Sequence, residues 1–296
     1  MSFPQELTKS IKIFRYFSPR TLKEAISILE ELHGNAKILA GGTDLLPMMK
    51  LHRVTPQNVI SLRNVVGLNH IRETNLTLKI GALRTISEMQ QSNLVREKYT
   101  SLYEATKTFG TPQIRNMASV GGNICRSSPS ADMVPPLITL DSRVNLVGPN
   151  GEREVLLEEF FTGPGENALN GEILKEIIVP SPPARCGMAF RKIMRASADL
   201  AKVNCAVKIV SRDRICDDVR IAIGGVADTP IRARRTEEII RGREVNKDVI
   251  NEAALAVTKE IAPITDVRST AQYRAHITSV LVSNLTDLAF HRSTQV

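Results

Sequence analysis

The stretch KILAGGTDLLPMMK, Lys37 to Lys50, decides how this chain is read. Lys37 to Ala40 has the composition of a short strand, Gly41-Gly42 turns the chain, and a helix is expected from about Leu45. Glycines at such a handover let the main chain approach a ligand closely and adopt positive φ angles. Successive N–H groups in the turn, followed by a helix N-terminus, would form a hollow that favours a phosphate. Thr43 and Asp44 stand where N-cap residues belong. The same residues also suit a plain capped turn, so this loop alone leaves both readings open.

A second passage changes the weighing. GTPQIRNMASVGGNICRSSPSAD, Gly110 to Asp132, has its own double glycine, Gly121-Gly122. Around it stand Ser119, Asn123, Ser127, Ser128 and Asp132. Two Gly-Gly loops rich in small polar residues suit a ligand with two phosphates, whereas a mononucleotide needs only one. Neither loop has the G-x-x-x-x-G-K-[ST] string of a P-loop, and neither fits the G-x-G-x-x-G fingerprint of a Rossmann unit. A dinucleotide held by some other fold is the reading that remains.

Outward from these loops the pattern is α+β, without the regular alternation of a doubly wound sheet. TLKEAISILEEL has a helical stripe at Leu22, Ile26, Leu29 and Leu32, opened by Thr21 and Glu24 and closed by His33-Gly34-Asn35. LTLKIGAL alternates as a half-buried strand, and Thr85 with Glu88 opens another helix. Asn150-Gly151 marks a hairpin, and EILKEIIVPSPP reads as a strand stopped by prolines. Pro180 to Pro183 is the expected domain boundary, giving domains 1–179, with subdomains of about 1–60 and 61–179, and 184–296. Beyond it come three strands, then two helices over about Lys247 to Ile261 and Thr270 to Ala289.

Composition narrows the class. A chain of 296 residues is long enough for two domains. With 42% hydrophobic and 24% charged residues it reads as globular. No apolar run reaches the roughly 20 residues that span a bilayer, so no transmembrane segment is expected. MSFPQELTKSIKIF lacks the features of a secretory signal, and the expected location is cytoplasmic. The net charge of +8 is dispersed among acidic residues and aromatics make up only 4% of the chain, which argues against nucleic-acid binding. A polyanionic cofactor or an acidic protein partner accounts for the charge equally well. Four scattered cysteines and five histidines without ligand spacing predict no metal site and no iron–sulfur cluster on this chain.

Four strings taken together, AGGTDLLPMMK, IGALRTISEM, GTPQIRNMASVGGNICRSSPSADMVPPL and IAIGGVADTPIRARRTE, resemble the FAD-binding (medium) subunit of the molybdenum hydroxylases. This is the family of the carbon monoxide dehydrogenase medium subunits and the xanthine dehydrogenase flavin domain. The likeness covers nearly the whole chain, in the family's order.

The resemblance implies two small N-terminal α+β FAD-binding subdomains of the vanillyl-alcohol-oxidase-like flavin fold, and a C-terminal antiparallel sheet with helices. It implies that FAD lies between them with its pyrophosphate on the two glycine loops. Carried over by position, Ala40, Gly41, Gly42, Thr43, Asp44 and Leu45 form the first loop. Ser119, Gly121, Gly122 and Asn123 form the second, flanked by Ser128 and Asp132. Main-chain contacts near the flavin ring fall at Ile173 and Leu174, and a basic residue approaching the ring is Lys192 in preference to Arg191. A positive charge there would stabilise an anionic reduced flavin. Arg126 departs from the pattern, since relatives often carry a small or amide side chain there.

The implied role is electron transfer inside a complex, with no catalytic acid–base residue on this chain. A molybdopterin-binding large subunit would oxidise the substrate, and a small subunit with two [2Fe–2S] clusters would deliver electrons. NAD⁺ or a quinone would take them away. The span SSPSADMVPPLITLDSRV lacks the cysteine-rich insertion of relatives that reduce aromatic thioesters. The alternatives are a stand-alone FAD oxidoreductase, for which Cys125 is the remaining covalent anchor, and a non-catalytic dinucleotide-binding module.

Overall fold

The computed structural model describes residues 10–74 and 76–295, so the reading of the first nine residues lies outside it. The chain begins with β1 (Arg15–Phe17), followed by α1 (Leu22–Glu31), β2 (Lys37–Leu39), α2 (Leu45–Lys50) and β3 (Asn58–Ser61). The three strands form a small parallel sheet in the order β1-β3-β2. Thr21 caps α1 by accepting from the Glu24 amide, as its sequence position predicts. Burial of Ala25, Ile26 and Leu29 against Ile60, Leu62, Val65 and Leu68 fixes α1 on this sheet. Among the described residues this is the one parallel sheet, because α1 and α2 provide the crossovers that parallel pairing requires.

The second layer is a five-stranded antiparallel sheet. It contains β4 (Ile71–Glu73), β5 (Thr77–Gly81), β6 (Arg143–Gly148) and β7 (Gly151–Leu156). A two-stranded hairpin, β8 (Phe161–Gly163) and β9 (Glu166–Asn167), precedes β10 (Ile173–Pro180), and the sheet order is β4-β5-β10-β6-β7. Between β5 and β6 run α3 (Ile86–Gln91), α4 (Asn93–Lys98) and α5 (Thr100–Thr108), then α6 (Pro112–Met117), α7 (Val120–Cys125) and α8 (Val134–Thr139). The single turn α9 (Leu157–Phe160) follows β7. Gly110 to Pro136, which carries the second double glycine, is organised as short helices. Thr111 and Ser119 cap α6 and α7, each accepting from an amide three residues on.

The C-terminal layer has β11 (Cys186–Ile193), β12 (Val203–Arg212), β13 (Ile215–Gly224) and β14 (Ile231–Arg232) in antiparallel order. It also has α10 (Arg234–Ile240), α11 (Lys247–Ala256) and α12 (Ala271–Thr294). β12 is buried along almost its whole length because both faces of the sheet are covered. One face meets α11 and α12 through Val207, Ile209, Ile221, Leu281 and Leu285. The other contributes Met188, Phe190, Ala206 and Ala222 to the core built around Leu78, Ile80, Tyr99, Leu102 and Leu137. The second and third layers therefore share one core, which holds the C-terminal sheet against α5 and α8. Among the described residues, no helix is long and apolar enough to cross a membrane.

Candidate functional site

Both glycine loops line one cleft of about 350 Å³, within the range of cofactor sites. Ala40, Gly41, Gly42, Thr43, Asp44 and Leu45 form one wall; Ser119, Gly121, Gly122 and Asn123 form the facing one. Ile173 and Leu174 close the end, and Phe109 is the single aromatic among the lining residues. The Arg115 guanidinium donates to the Phe109 and Gly110 carbonyls at 3.0 and 2.9 Å, which pins the turn that presents that ring.

Gly41 is there for close approach. A Cβ on it would stand 1.9 Å from the Met117 carbonyl oxygen, so only glycine lets the first loop press against the chain entering the second. Gly42 has φ +76°, a conformation L-residues avoid, and turns the chain towards α2. Asp44 stands at the N-cap of α2, yet its side chain makes no cap bond. The expected cap is thus unmade. Among the described residues, no backbone N–H from Ala40 to Leu45 donates within the chain. Free main-chain donors side by side in a hollow are what an anion requires.

The second loop differs. Its N–H groups at Val120 and Gly121 donate to the Arg84 and Ala82 carbonyls, each at 2.9 Å. Those of Gly122 and Asn123 donate to Ser119, to the side chain at 3.1 Å and the carbonyl at 3.0 Å. A Cβ on Gly121 would lie 2.7 Å from Ala82. This double glycine stitches α7 to the end of β5. Its main-chain donors are engaged, contrary to the expectation that both loops offer them; what it contributes to the cleft is a close-fitting wall.

The strand contribution follows from register. β10 pairs with β6 from Ile173 onwards, but pairs with β5 only from Glu176. Ile173 and Leu174 therefore overhang β5, leaving one main-chain edge facing the cleft. The overhang begins beyond Ala82, whose N–H still donates to the Lys175 carbonyl of β10 at 2.9 Å while its own carbonyl receives Gly121.

Ser128, Asp132 and Lys192 do not line the cleft. The Ser128 hydroxyl accepts from the Ser130 amide at 3.3 Å within its own turn. Lys192 lies buried on β11, and its ammonium donates to Asp132 at 2.6 Å and to the Thr108 carbonyl at 3.2 Å. Asn204, opposite Lys192 in the ladder, donates to the other Asp132 oxygen at 3.0 Å. Burial pushes the Asp132 carboxyl up, against the pull of Lys192 and Asn204. The trio ties the tail of the second loop to the C-terminal sheet. Arg191, the other basic candidate, points outward and is exposed.

Among the lining residues the ionisable groups are Lys37, Asp44, Cys125, Arg126 and Glu172. Glu172 is gripped by both arms of the Arg153 fork at 2.6 and 2.7 Å, which holds its carboxyl below the usual range. Burial pushes the Cys125 thiol up to about 12, so near neutral pH it stays protonated and a poor nucleophile. Among the described residues, no group of three or more His, Cys, Asp or Glu could hold a metal ion.

The family model described as "FAD binding domain in molybdopterin dehydrogenase" matches residues 12–182. The chain belongs to this family. A second model, "CO dehydrogenase flavoprotein C-terminal domain", matches residues 188–287 of this FAD-binding oxidoreductase subunit. The carbon monoxide dehydrogenase medium chain of Hydrogenophaga pseudoflava is 32% identical over 94% of the chain and 98% of its own length. The glyceraldehyde dehydrogenase medium chain of Sulfolobus acidocaldarius is 32% identical over 90% and 95%. A solved carbon monoxide dehydrogenase from Hydrogenophaga pseudoflava superposes with TM-score 0.93 at 33% identity, covering 96% of this chain and 99% of that one.

The first loop fits FAD through its unengaged donors, and the residues that sequence reasoning passed over are legible only in the fold. Phe109 stands between Thr108 and Gly110 in a turn that carries no motif. Leu39, Met48, Val54 and Leu62 also line the cleft, and they read as ordinary core positions in sequence.

Proposed function

We propose that the chain is the flavin-carrying electron-transfer subunit of a molybdopterin-dependent dehydrogenase. In this reading it takes electrons from [2Fe–2S] clusters on a small subunit and passes them to an external acceptor such as NAD⁺ or a quinone. A molybdopterin-binding large subunit oxidises the substrate. The observation that carries the reading is the run of free N–H groups from Ala40 to Leu45, set in a cleft shared with Gly122 and the Ile173–Leu174 overhang. Bound FAD supplies the redox chemistry, and the protein's part is position, exclusion of water and electrostatics.

The first loop would hold the diphosphate, with Gly41 setting its distance from the second loop and Gly42 its direction. The β10 overhang would offer main-chain groups to a flat polar ring. Lys192 acts on the site from behind, by holding Asp132 and the Thr108 carbonyl in place. Relatives of equal similarity serve carbon monoxide and glyceraldehyde dehydrogenases, which fits a chain that leaves substrate choice to another subunit.

The test is the visible spectrum of the purified full chain, with the released chromophore identified. One FAD per chain, reduced by a [2Fe–2S] protein and reoxidised by NAD⁺ or a quinone, supports the reading. A chain that takes up added FAD but exchanges electrons with no iron–sulfur donor overturns the electron-transfer role while keeping the cofactor.

A further inference from the structure

Arg126 is the cation at the point where the two loops meet. It follows α7, and its Nε lies 3.8 Å from the Asp44 carboxylate of the first loop, with the two side chains 40% and 66% exposed. A pair so open and so long is worth at most about 1 kcal/mol. Among the described residues its guanidinium makes no hydrogen bond and no other ion pair. Arg84 and Arg115, by contrast, are committed to Glu88 and to the Phe109 and Gly110 carbonyls. Of the other charged groups in the cleft wall, Glu172 is neutralised by Arg153, and Lys37 stands at the far end of β2 from the turn.

Asp44 sets the problem that Arg126 solves. Its carboxylate sits at the end of the row of free N–H groups, makes no cap bond, and would repel any anion drawn to them. Room to move is also present. The Arg126 Nη1 lies 3.5 Å from where a Cβ would stand on Gly165, a glycine at φ +81° whose N–H is tied to the Ser127 carbonyl at 2.9 Å. With glycine there, no side chain lies on that flank of the guanidinium.

We propose that Arg126 is the charge-neutralising clamp of the first loop, releasing Asp44 to take a phosphate of the bound dinucleotide in its planar fork. This rests on the FAD reading above and adds to it a residue that selects ligands carrying a diphosphate.

The experiment titrates the deflavinated full-length chain with FAD and, separately, with riboflavin, following flavin fluorescence at two salt concentrations. Arg126→Gln is expected to raise the FAD Kd about 10- to 30-fold and to leave the riboflavin Kd within about 2-fold. The salt dependence of FAD binding should be weaker in the variant than in the wild type. Arg126→Lys should recover part of the loss, and Asp44→Asn should tighten FAD about 3-fold. An unchanged melting temperature checks that each exposed substitution leaves the fold intact. Arg126→Gln binding FAD as the wild type does, or losing riboflavin equally, overturns the clamp while the FAD reading stands. A wild-type chain that binds no FAD overturns that reading and the clamp with it.

Discussion

Among the described residues, Gly41-Gly42 leaves the N–H groups from Ala40 to Leu45 without partners, whereas Gly121-Gly122 has its own donors tied to Ala82 and Ser119. The two turns look alike in sequence and face each other across one cleft, yet they solve different problems. In each, the first glycine is pressed against backbone: Gly41 against Met117, Gly121 against Ala82. The second glycines differ. Gly42 adopts a left-handed φ in a run of N–H groups that find no partner among the described residues, while Gly122 completes a helix cap. A double glycine therefore reports close approach of the chain, and only the hydrogen bonds around it say whether the approach serves a ligand or the protein itself.

The harshest way to break this contrast removes the anchor behind the second loop. Lys192→Met should destabilise the chain by about 3–5 kcal/mol, because it leaves Asp132 buried without its cation. The deficit should shrink from pH 8 to pH 5 in denaturant melts. Burial has already raised the Asp132 pKa, so the folded state favours the protonated form and the variant loses stability as pH rises. A deficit constant across that range would mean that Asp132 is not the group left exposed to the penalty.

Gly41→Ala comes next, at about 3 kcal/mol, since the backbone carbonyl of Met117 stands where the methyl group would go. Gly121→Ala should cost slightly less. Thermal unfolding of both variants tests whether the first glycine of each pair is structural; a melting temperature unchanged by either would remove that half of the comparison.

A matched pair sharpens the other half. Gly42→Ala should lower stability by roughly 1–2 kcal/mol through backbone strain and weaken FAD about 10-fold. Ser119→Ala should also cost about 1 kcal/mol, by uncapping the Gly122 amide, yet leave FAD affinity within about 3-fold. Equal losses of FAD in the two variants would erase the distinction between the loops. The smallest effect is expected at Cys125→Ser, which should leave flavin content unchanged, because a thiol pushed up to about 12 forms no covalent link near neutral pH. Flavin retained by the denatured wild type but released by that variant would contradict this.

Local signals in the sequence were read with little loss. Thr21, Thr85 and Asn150-Gly151 mark the helix starts and the hairpin where the structure has them, because caps and turns involve residues only a few positions apart. The same logic failed at Asp44, where a residue suited to capping faces solvent and Arg126 instead. It also failed to find α10's partner: the Arg235 and Thr236 amides donate to Glu260, 25 and 24 residues away. Lys192 is expected from the resemblance to approach the flavin ring; it lies buried on β11, with Arg191 outward, and its contact is Asp132, which no spacing rule pairs with it.

By itself the sequence determined the main helices and strands, the α+β order and the two glycine turns, since these rest on short-range sterics and on the period of apolar residues. The tertiary structure alone decided which turn keeps its donors free. That depends on whether a carbonyl such as Ala82 arrives opposite the N–H groups, and the arrival is set by where β5 stops beside β10. It also decided that Arg126 and Asp44 meet, two residues far apart in the chain whose pairing becomes physical only after the loops are folded against each other.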